Sequence, residues 1–196
     1  GFNLKAPVIP CVVTHNNWAN FQNHQKINKK FDILFHYSLS KNKGGDIGNK
    51  IIKLIKIKRP NTSISIWNRN KPHNLNLANQ YYNISEFELS NLYWNHKFFL
   101  FPSTFEGFGM PPIESISYYC IPIMHENVGS SNLYAKDNIN VILIKNDIET
   151  SVNQIIEILD NEDMYSEMIT KLNQTIDIFN PNGFSERIIN HSIYNL

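Results

Sequence analysis

The sequence predicts an α/β domain: a Rossmann-like parallel sheet flanked by helices, as in one lobe of a two-lobed architecture. Two observations carry this. From residue 31 onward, short apolar runs alternate with segments whose apolar residues recur every three or four positions, the pattern of parallel strands joined by crossover helices. One of those runs, "KFFLF" (97–101), is apolar at every position except its first, as a central strand covered on both faces must be. At 196 residues the chain suits one domain with a substantial core, and leaves no room for a complete two-lobed enzyme.

The elements follow in order. "FDILFHYS" (31–38) reads as the first strand. After "KNKGGD" comes a helix with Ile47, Ile51, Leu54 and Ile55 on one face, stopped by Pro60 and Asn61. "TSISIW" (62–67) alternates as a second strand, the Asn-rich stretch 68–79 is a loop, and "YYNI" (81–84) is a short third strand. Ser85 stands three residues before Glu88, a capping box opening a helix that carries Phe87, Leu92 and Tyr93. "KFFLF" follows, then "FEGFGMPPIE" (105–114), whose Pro111 and Pro112 fit the first turn of a helix, where a missing amide proton matters least. "IPIM" (121–124) and "VILI" (141–144) supply two more strands. Helices are expected at about 147–160, with Val152, Ile155, Ile156 and Leu159 on one face, at about 163–178, and at about 184–195. Residues 1–30 are the least legible, with one strand candidate at "VIPCVV".

Composition narrows the function classes. Eighteen basic and 17 acidic residues leave a net charge of +1, and the basic residues are scattered, so a nucleic-acid surface is not expected. No apolar run approaches the ~20 residues of a membrane span, so no transmembrane segment is expected and peripheral membrane contact stays open. Cys11 and Cys120 lie far apart and read as reduced thiols of a cytoplasmic chain rather than a disulfide framework. The seven histidines show no ligand spacing, so no metal is expected; His36, within a strand, reads as a packed residue. The start at Gly1, without methionine, reads as a piece of something longer.

"FEGFGMPPIE" holds the chemistry. In parallel α/β sheets, ligands sit beyond the carboxyl ends of strands, where helix N-termini offer free amides to anions. Gly107 and Gly109 let the backbone approach a ligand, and Phe108 and Met110 add amides at the helix start. A phosphate there gains about 0.3–2 kcal/mol from a helix dipole and roughly 1.5–3 kcal/mol per charge-assisted hydrogen bond. Carboxylates would be repelled by phosphate, so Glu106 and Glu114 should reach past it to neutral donors. A carboxylate can accept both protons of a vicinal diol. Hydroxyls at both ends and phosphates between them describe a nucleotide sugar.

"FPSTFEGFGMPPIES" resembles the E-x7-E segment of retaining glycosyltransferases of family 4, which have the two-lobed GT-B architecture. The likeness covers most of residues 31–196, including "KGGD", "LSNLYWNHKFFLFPS" and "NVGSS". It implies that residues 31–196 are the C-terminal, nucleotide-sugar-binding lobe, that residues 1–30 are a poorly defined segment or interlobe linker, and that an acceptor-binding N-terminal lobe is missing. It further implies that Glu106 contacts the donor sugar, that the amides of Gly107, Phe108, Gly109 and Met110 meet sugar and diphosphate, and that Glu114 holds the ribose. Lys43 matches the lysine that neutralises the leaving diphosphate, with Lys41 a competitor; Glu106 and Lys43 would be the catalytic pair. The donor, a UDP or GDP sugar, is a substrate, and no cofactor is implied. The last helix would contact the missing lobe, and the isolated piece would not turn over. The chain departs from the family at Tyr37-Ser38, where an arginine is usual, and at Ser131-Asn132-Leu133, where an acid is common.

Each residue has a plainer reading when taken singly. Glu114 could be a first-turn acid, Gly107 and Gly109 turn residues, Phe108 a core plug, Lys43 a solvated lysine, and "NLYWNHKFFLF" core, with Tyr93 or Trp94 as candidate pocket walls. Base recognition is expected around residues 67–70 and 82–86. Two rival functions stand beside the transferase: a nucleotide-sugar-binding or scaffolding module without turnover, and, more distantly, a sugar-nucleotide epimerase.

Overall fold

The strand expected at the centre lies there. A computed structural model describes residues 28–69, 78–126, 128–129 and 131–179. Its single sheet has six strands, all parallel, in the order β3-β2-β1-β4-β5-β6. These are β1 (Phe31–His36), β2 (Ile64–Asn68), β3 (Asn79–Tyr82), β4 (His96–Phe101), β5 (Ile121–Met124) and β6 (Ile142–Leu143); the helices are α1 (Gly45–Lys58), α2 (Glu86–Asn95), α3 (Met110–Ile116), α4 (Ile148–Asp160) and α5 (Glu162–Phe179). The chain builds outward from β1 to β3, returns to place β4 beside β1, and builds outward the other way. The strand order therefore reverses between β1 and β4, where such sheets open a crevice at the strands' carboxyl ends.

Alternation along the strands sorts the core into two layers. Ile33, Phe35, Ile64, Ile66, Phe98, Leu100, Ile121 and Ile123 face a large cluster with Ile51, Ile52 and Ile55 of α1, Ile113 and Ile116 of α3, Val152, Ile155 and Ile158 of α4, and Leu172 of α5. Leu34, Trp67, Phe99 and Phe101 face the other side, where Tyr93 of α2 packs with Tyr118 and Cys120. Each such fully buried side chain contributes about 1.5–3 kcal/mol, so the sheet is held from both faces.

The helix starts follow the sequence signals. Ser85 Oγ accepts the Glu88 amide at 3.3 Å while the Glu88 carboxylate accepts the Ser85 amide at 2.8 Å, completing the capping box. Asp147 caps α4 by accepting the amides of Glu149 and Thr150.

Several expectations shift. β2 is buried at all five positions rather than on alternate ones, because it lies between β1 and β3 with helices over both faces. β3 begins and ends two residues earlier than expected; Asn83, at φ 48°, turns the chain and donates its amide to Asn68 O at 3.1 Å. Phe87 is 76 % exposed: the cap fixes the phase of α2 so that Tyr93 is its buried residue. Ile158, not Ile156, is fully buried on α4, although Ile156 packs against the same cluster. Cys120 is a free, buried thiol. The strand at "VIPCVV", Cys11, most of the Asn-rich loop and the helix at 184–195 lie outside the described residues.

Candidate functional site

The residues picked out by the sequence converge at the carboxyl ends of β1 and β4. After β1 the chain makes a 3-10 turn, Lys41–Lys43, that leads through Gly44 into α1. After β4 it runs through Pro102-Ser103-Thr104 into the motif. Backbone ties join the two loops: Asn42 O accepts the amide of Thr104 at 2.9 Å and that of Phe105 at 3.4 Å. The approach is so close that a Cβ on Gly44, which sits at φ +65°, would stand 1.9 Å from Pro102 O, so only glycine fits there. These ties bring Lys43 and Glu106 into contact across 63 residues. Lys43 Nζ donates to both carboxylate oxygens of Glu106, at 2.6 and 2.8 Å, with side-chain exposures of 35 % and 11 %. Lys41 is exposed on the same turn, and no ion pair among the described residues involves it.

The motif's middle is shaped from behind by the turn after β5. Gly109 is the left-handed N-cap of α3, with both prolines in the first turn. Gly129, at φ +60°, packs so tightly on the motif that a Cβ there would lie 2.4 Å from Phe108 O and 3.0 Å from the Gly109 amide nitrogen. Ser131 Oγ accepts the Val128 amide at 2.9 Å and holds this turn. Phe108 packs partly buried against the large cluster, so its side chain is a core plug whose backbone remains part of the motif. Gly107 differs: it carries no positive φ, and a Cβ there would meet nothing within 4 Å. Neither conformation nor packing against the chain requires a glycine at 107.

The helix start expected at the motif is present, and a longer helix also opens on the crevice. α3 has seven residues, whereas α1 has 14 and also starts in the crevice. The larger N-terminal field available to an anion is therefore that of α1, beside Lys43.

Glu114 is half-buried on α3. Burial first, and then the Glu86 carboxylate at the start of α2, push its pKa up, while Arg69 pulls the other way. Arg69 follows β2 directly and is exposed. His36, the last residue of β1, stacks on Trp67 at 4.4 Å and Phe101 at 5.8 Å between ring centroids. Burial, then the charges of Lys43 and Arg69, lower its pKa to about 4, so it is neutral and packed, as its place in a strand suggested. Tyr93 is buried against Phe99 and Tyr118, with ring centroids 5.0 and 6.0 Å away, and its hydroxyl has no partner among the described residues. Trp94 is far off: its carbonyl accepts Lys29 Nζ at 2.9 Å, just ahead of β1 and thus at the opposite edge of the sheet. Arg69 and Glu86 carry no motif; they fall within the stretches 67–70 and 82–86 expected to recognise the base, with no individual role assigned to either. Their signal is positional: each is at an element end that opens on the crevice.

Comparison with known proteins fits this geometry. A model of the family "Glycosyl transferases group 1" matches residues 16–175. No curated protein sequence matches the chain. Among solved structures, the chain resembles TarM (TM-score 0.70, 16% identity, 94% of this chain and 37% of that one). It also resembles the pneumococcal O-GlcNAc transferase GtfA in complex with UDP and GlcNAc (TM-score 0.68, 18% identity, 85% and 36%). A third match is the C-terminal domain of a glycosyl transferase group 1 family protein, LpcC, from Francisella tularensis (TM-score 0.63, 15% identity, 87% and 93%). The chain thus spans little more than a third of TarM and of GtfA, and nearly all of the isolated LpcC domain. No helix among the described residues is long and apolar enough to cross a membrane.

Proposed function

The chain belongs to the glycosyl transferases group 1 family, and from that membership we propose that it is the C-terminal, donor-binding lobe of a retaining, family-4 enzyme that moves a sugar from a nucleoside diphosphate to an acceptor held by a second lobe. One observation carries the proposal. Lys43 and Glu106, 63 residues apart, meet at 2.6 Å where the strand order reverses, on the same motif as Glu114. The match to a C-terminal domain solved alone supports the lobe assignment, and the UDP and GlcNAc bound by GtfA support a UDP sugar as donor.

In this proposal the donor's diphosphate lies between the start of α1 and the motif. The open space over Gly107 receives the ligand that its missing side chain would otherwise obstruct. Glu106 organises the sugar hydroxyls, and Glu114 accepts both hydroxyls of the ribose. The anomeric C–O bond breaks with its electron pair leaving on the diphosphate, whose charge Lys43 and the backbone amides stabilise. The acceptor oxygen bonds to the anomeric carbon on the face the diphosphate left, and its proton passes to the departing phosphate. The residues' task is electrostatic and positional, and no metal is assigned to it.

Calorimetric titration with UDP, GDP and their sugars tests the proposal. The chain should bind one series, and Glu114→Gln should weaken it about tenfold or more, the equivalent of losing one charge-assisted contact. The same variant should melt no lower at pH 7, because Glu114's raised pKa means that its ionised form disfavours the fold. Absence of binding to any nucleotide would sink the proposal. A second reading, the binding module without turnover, is favoured by Ser38 standing where the family's arginine is usual. Binding without transfer once an acceptor lobe is supplied would establish it.

A further inference from the structure

Beside the exposed Lys41, the described residues give the crevice one engaged cation and one without an ion pair. Lys43 is paired with Glu106. Of the two described arginines, Arg59 is tied to Asp160 at 2.9 Å, Asp32 at 3.5 Å and Thr62 at 3.1 Å and serves the fold. Arg69 makes no ion pair or hydrogen bond among the described residues and is exposed at the crevice edge.

Strand register fixes where it stands. β1 pairs with β2 with His36 opposite Trp67, and Tyr37 N donates to Trp67 O at 3.1 Å. Continuing that register by two residues sets Ser38 and Arg69 side by side as the two strands leave the sheet. Ser38 is a small hydroxyl accepting the Ser40 amide at 3.3 Å. Arg69 thus supplies a guanidinium at the place where β1 itself ends without a cation. Its charge is also felt at His36 and at Glu114, so it lies near both. The two cations divide between the two acids: Lys43 contacts Glu106, and Arg69 is the cation whose field reaches Glu114.

We propose that Arg69 binds the nucleoside-proximal phosphate of the donor, leaving Lys43 to the sugar-proximal phosphate. The assignment rests on the donor-site reading above, which sets the sugar at Glu106 and the ribose at Glu114. A guanidinium suits that position because its planar fork can hold two phosphate oxygens at once.

The test titrates the full chain with the mono- and diphosphates of uridine and guanosine. Arg69→Met should weaken the mono- and the diphosphate alike, by about tenfold or more, and Arg69→Lys should recover part of the loss. Lys43→Met should weaken the diphosphate and leave the monophosphate unchanged. Arg69 is exposed, so its variants should melt with the parent chain. An Arg69→Met variant that binds both ligands as the parent does would overturn the assignment. A loss confined to the diphosphate would overturn it as well, and so would a loss in one base series only, which would make Arg69 a base contact. If the parent chain binds neither series, the donor-site reading itself fails and takes the assignment with it.

Discussion

Replacing Glu106 with glutamine should tighten the binding of the free nucleoside diphosphate, although Glu106 sits in the middle of its proposed site. Without ligand, the Glu106 carboxylate engages Lys43 Nζ through both oxygens, so an arriving diphosphate must compete for that cation and also meets a negative charge beside it. Unit charges about 4 Å apart interact by ~1 kcal/mol in bulk water and ~4 kcal/mol at an effective permittivity of 20. With the lysine side chain 35 % exposed and the glutamate 11 %, solvent screening brings the net interaction down to about 1–2 kcal/mol. Against this stands the freedom Lys43 regains once unpaired. Freeing a whole lysine side chain is worth at most about 2 kcal/mol, and this one keeps a half-buried stem, so the loss of orientation should be smaller than the gain. The expected result is diphosphate binding several-fold tighter in Glu106→Gln, with about 30-fold the ceiling before the loss of orientation is subtracted, read by calorimetry, with the gain shrinking as salt rises because the pair is partly screened already. The corresponding nucleotide sugar should gain less, since it loses its contact with Glu106. In a Lys43→Met background the effect of Glu106→Gln should fall to the repulsion alone, which a double-mutant cycle measures. Equal or weaker diphosphate binding by Glu106→Gln would refute the reasoning and show that Glu106 holds Lys43 in its productive position.

Two further outcomes follow from the geometry. Gly129→Ala places a Cβ 2.4 Å from Phe108 O at a positive φ; left-handed strain of roughly 1–2 kcal/mol should lower the melting temperature by several degrees, and the displaced Phe108–Gly109 peptide should weaken nucleotide binding beyond that, whereas unchanged affinity would show that the motif's amides do not touch the ligand. Acid should destabilise the fold between about pH 6.5 and 4: burial lowers the pKa of His36 and of His96 to about 4, so the unfolded chain binds protons that the folded chain refuses, and stability present above pH 6.5 is lost as pH falls. His96 alone, with Nδ1 donating to Leu92 O at 2.6 Å and Nε2 buried without a partner among the described residues, should contribute a slope approaching about 1.4 kcal/mol per pH unit. Urea midpoints at pH 7 and pH 5 measure that slope, and a His96→Gln variant that keeps it whole would assign the effect to other groups.

Local signals proved legible where one residue type answers one physical need. The buried β4, the Ser85–Glu88 capping box and the prolines opening α3 are such cases. Phe87 was misread because apolar character at a helix start does not reveal helix phase; the cap does, and it turns that ring outward. β2 was misread because alternation of Ser and Ile says nothing of whether a second layer covers the serine face, and Ser65 is in fact buried. Lys43 and Glu106 were each legible, but their contact was not, since it depends on Asn42 O accepting amides from the other loop. Arg69 was legible only as part of the stretch 67–70: a lone arginine after a strand acquires a particular role only when register puts it beside the end of β1.

Before a donor arrives, Lys43 is paired with Glu106, and the charge of Arg69 is felt at Glu114. In the proposed site a nucleoside diphosphate therefore competes with these carboxylates for Lys43 and Arg69, and the rest of its charge is met by groups that carry none. Those groups are backbone amides, at the motif and at the start of α1, and the 14-residue α1 has the longer array of aligned dipoles behind it. Because Gly44 begins that helix while pressed against Pro102 O, and Asn42 O binds the amide of Thr104, the start of α1, Lys43 and Glu106 form one mechanical unit. A change that parts the two loops should disturb cation, carboxylate and amides together. The tight backbone contact beneath the pair is thus as much a part of the site as the charged side chains above it.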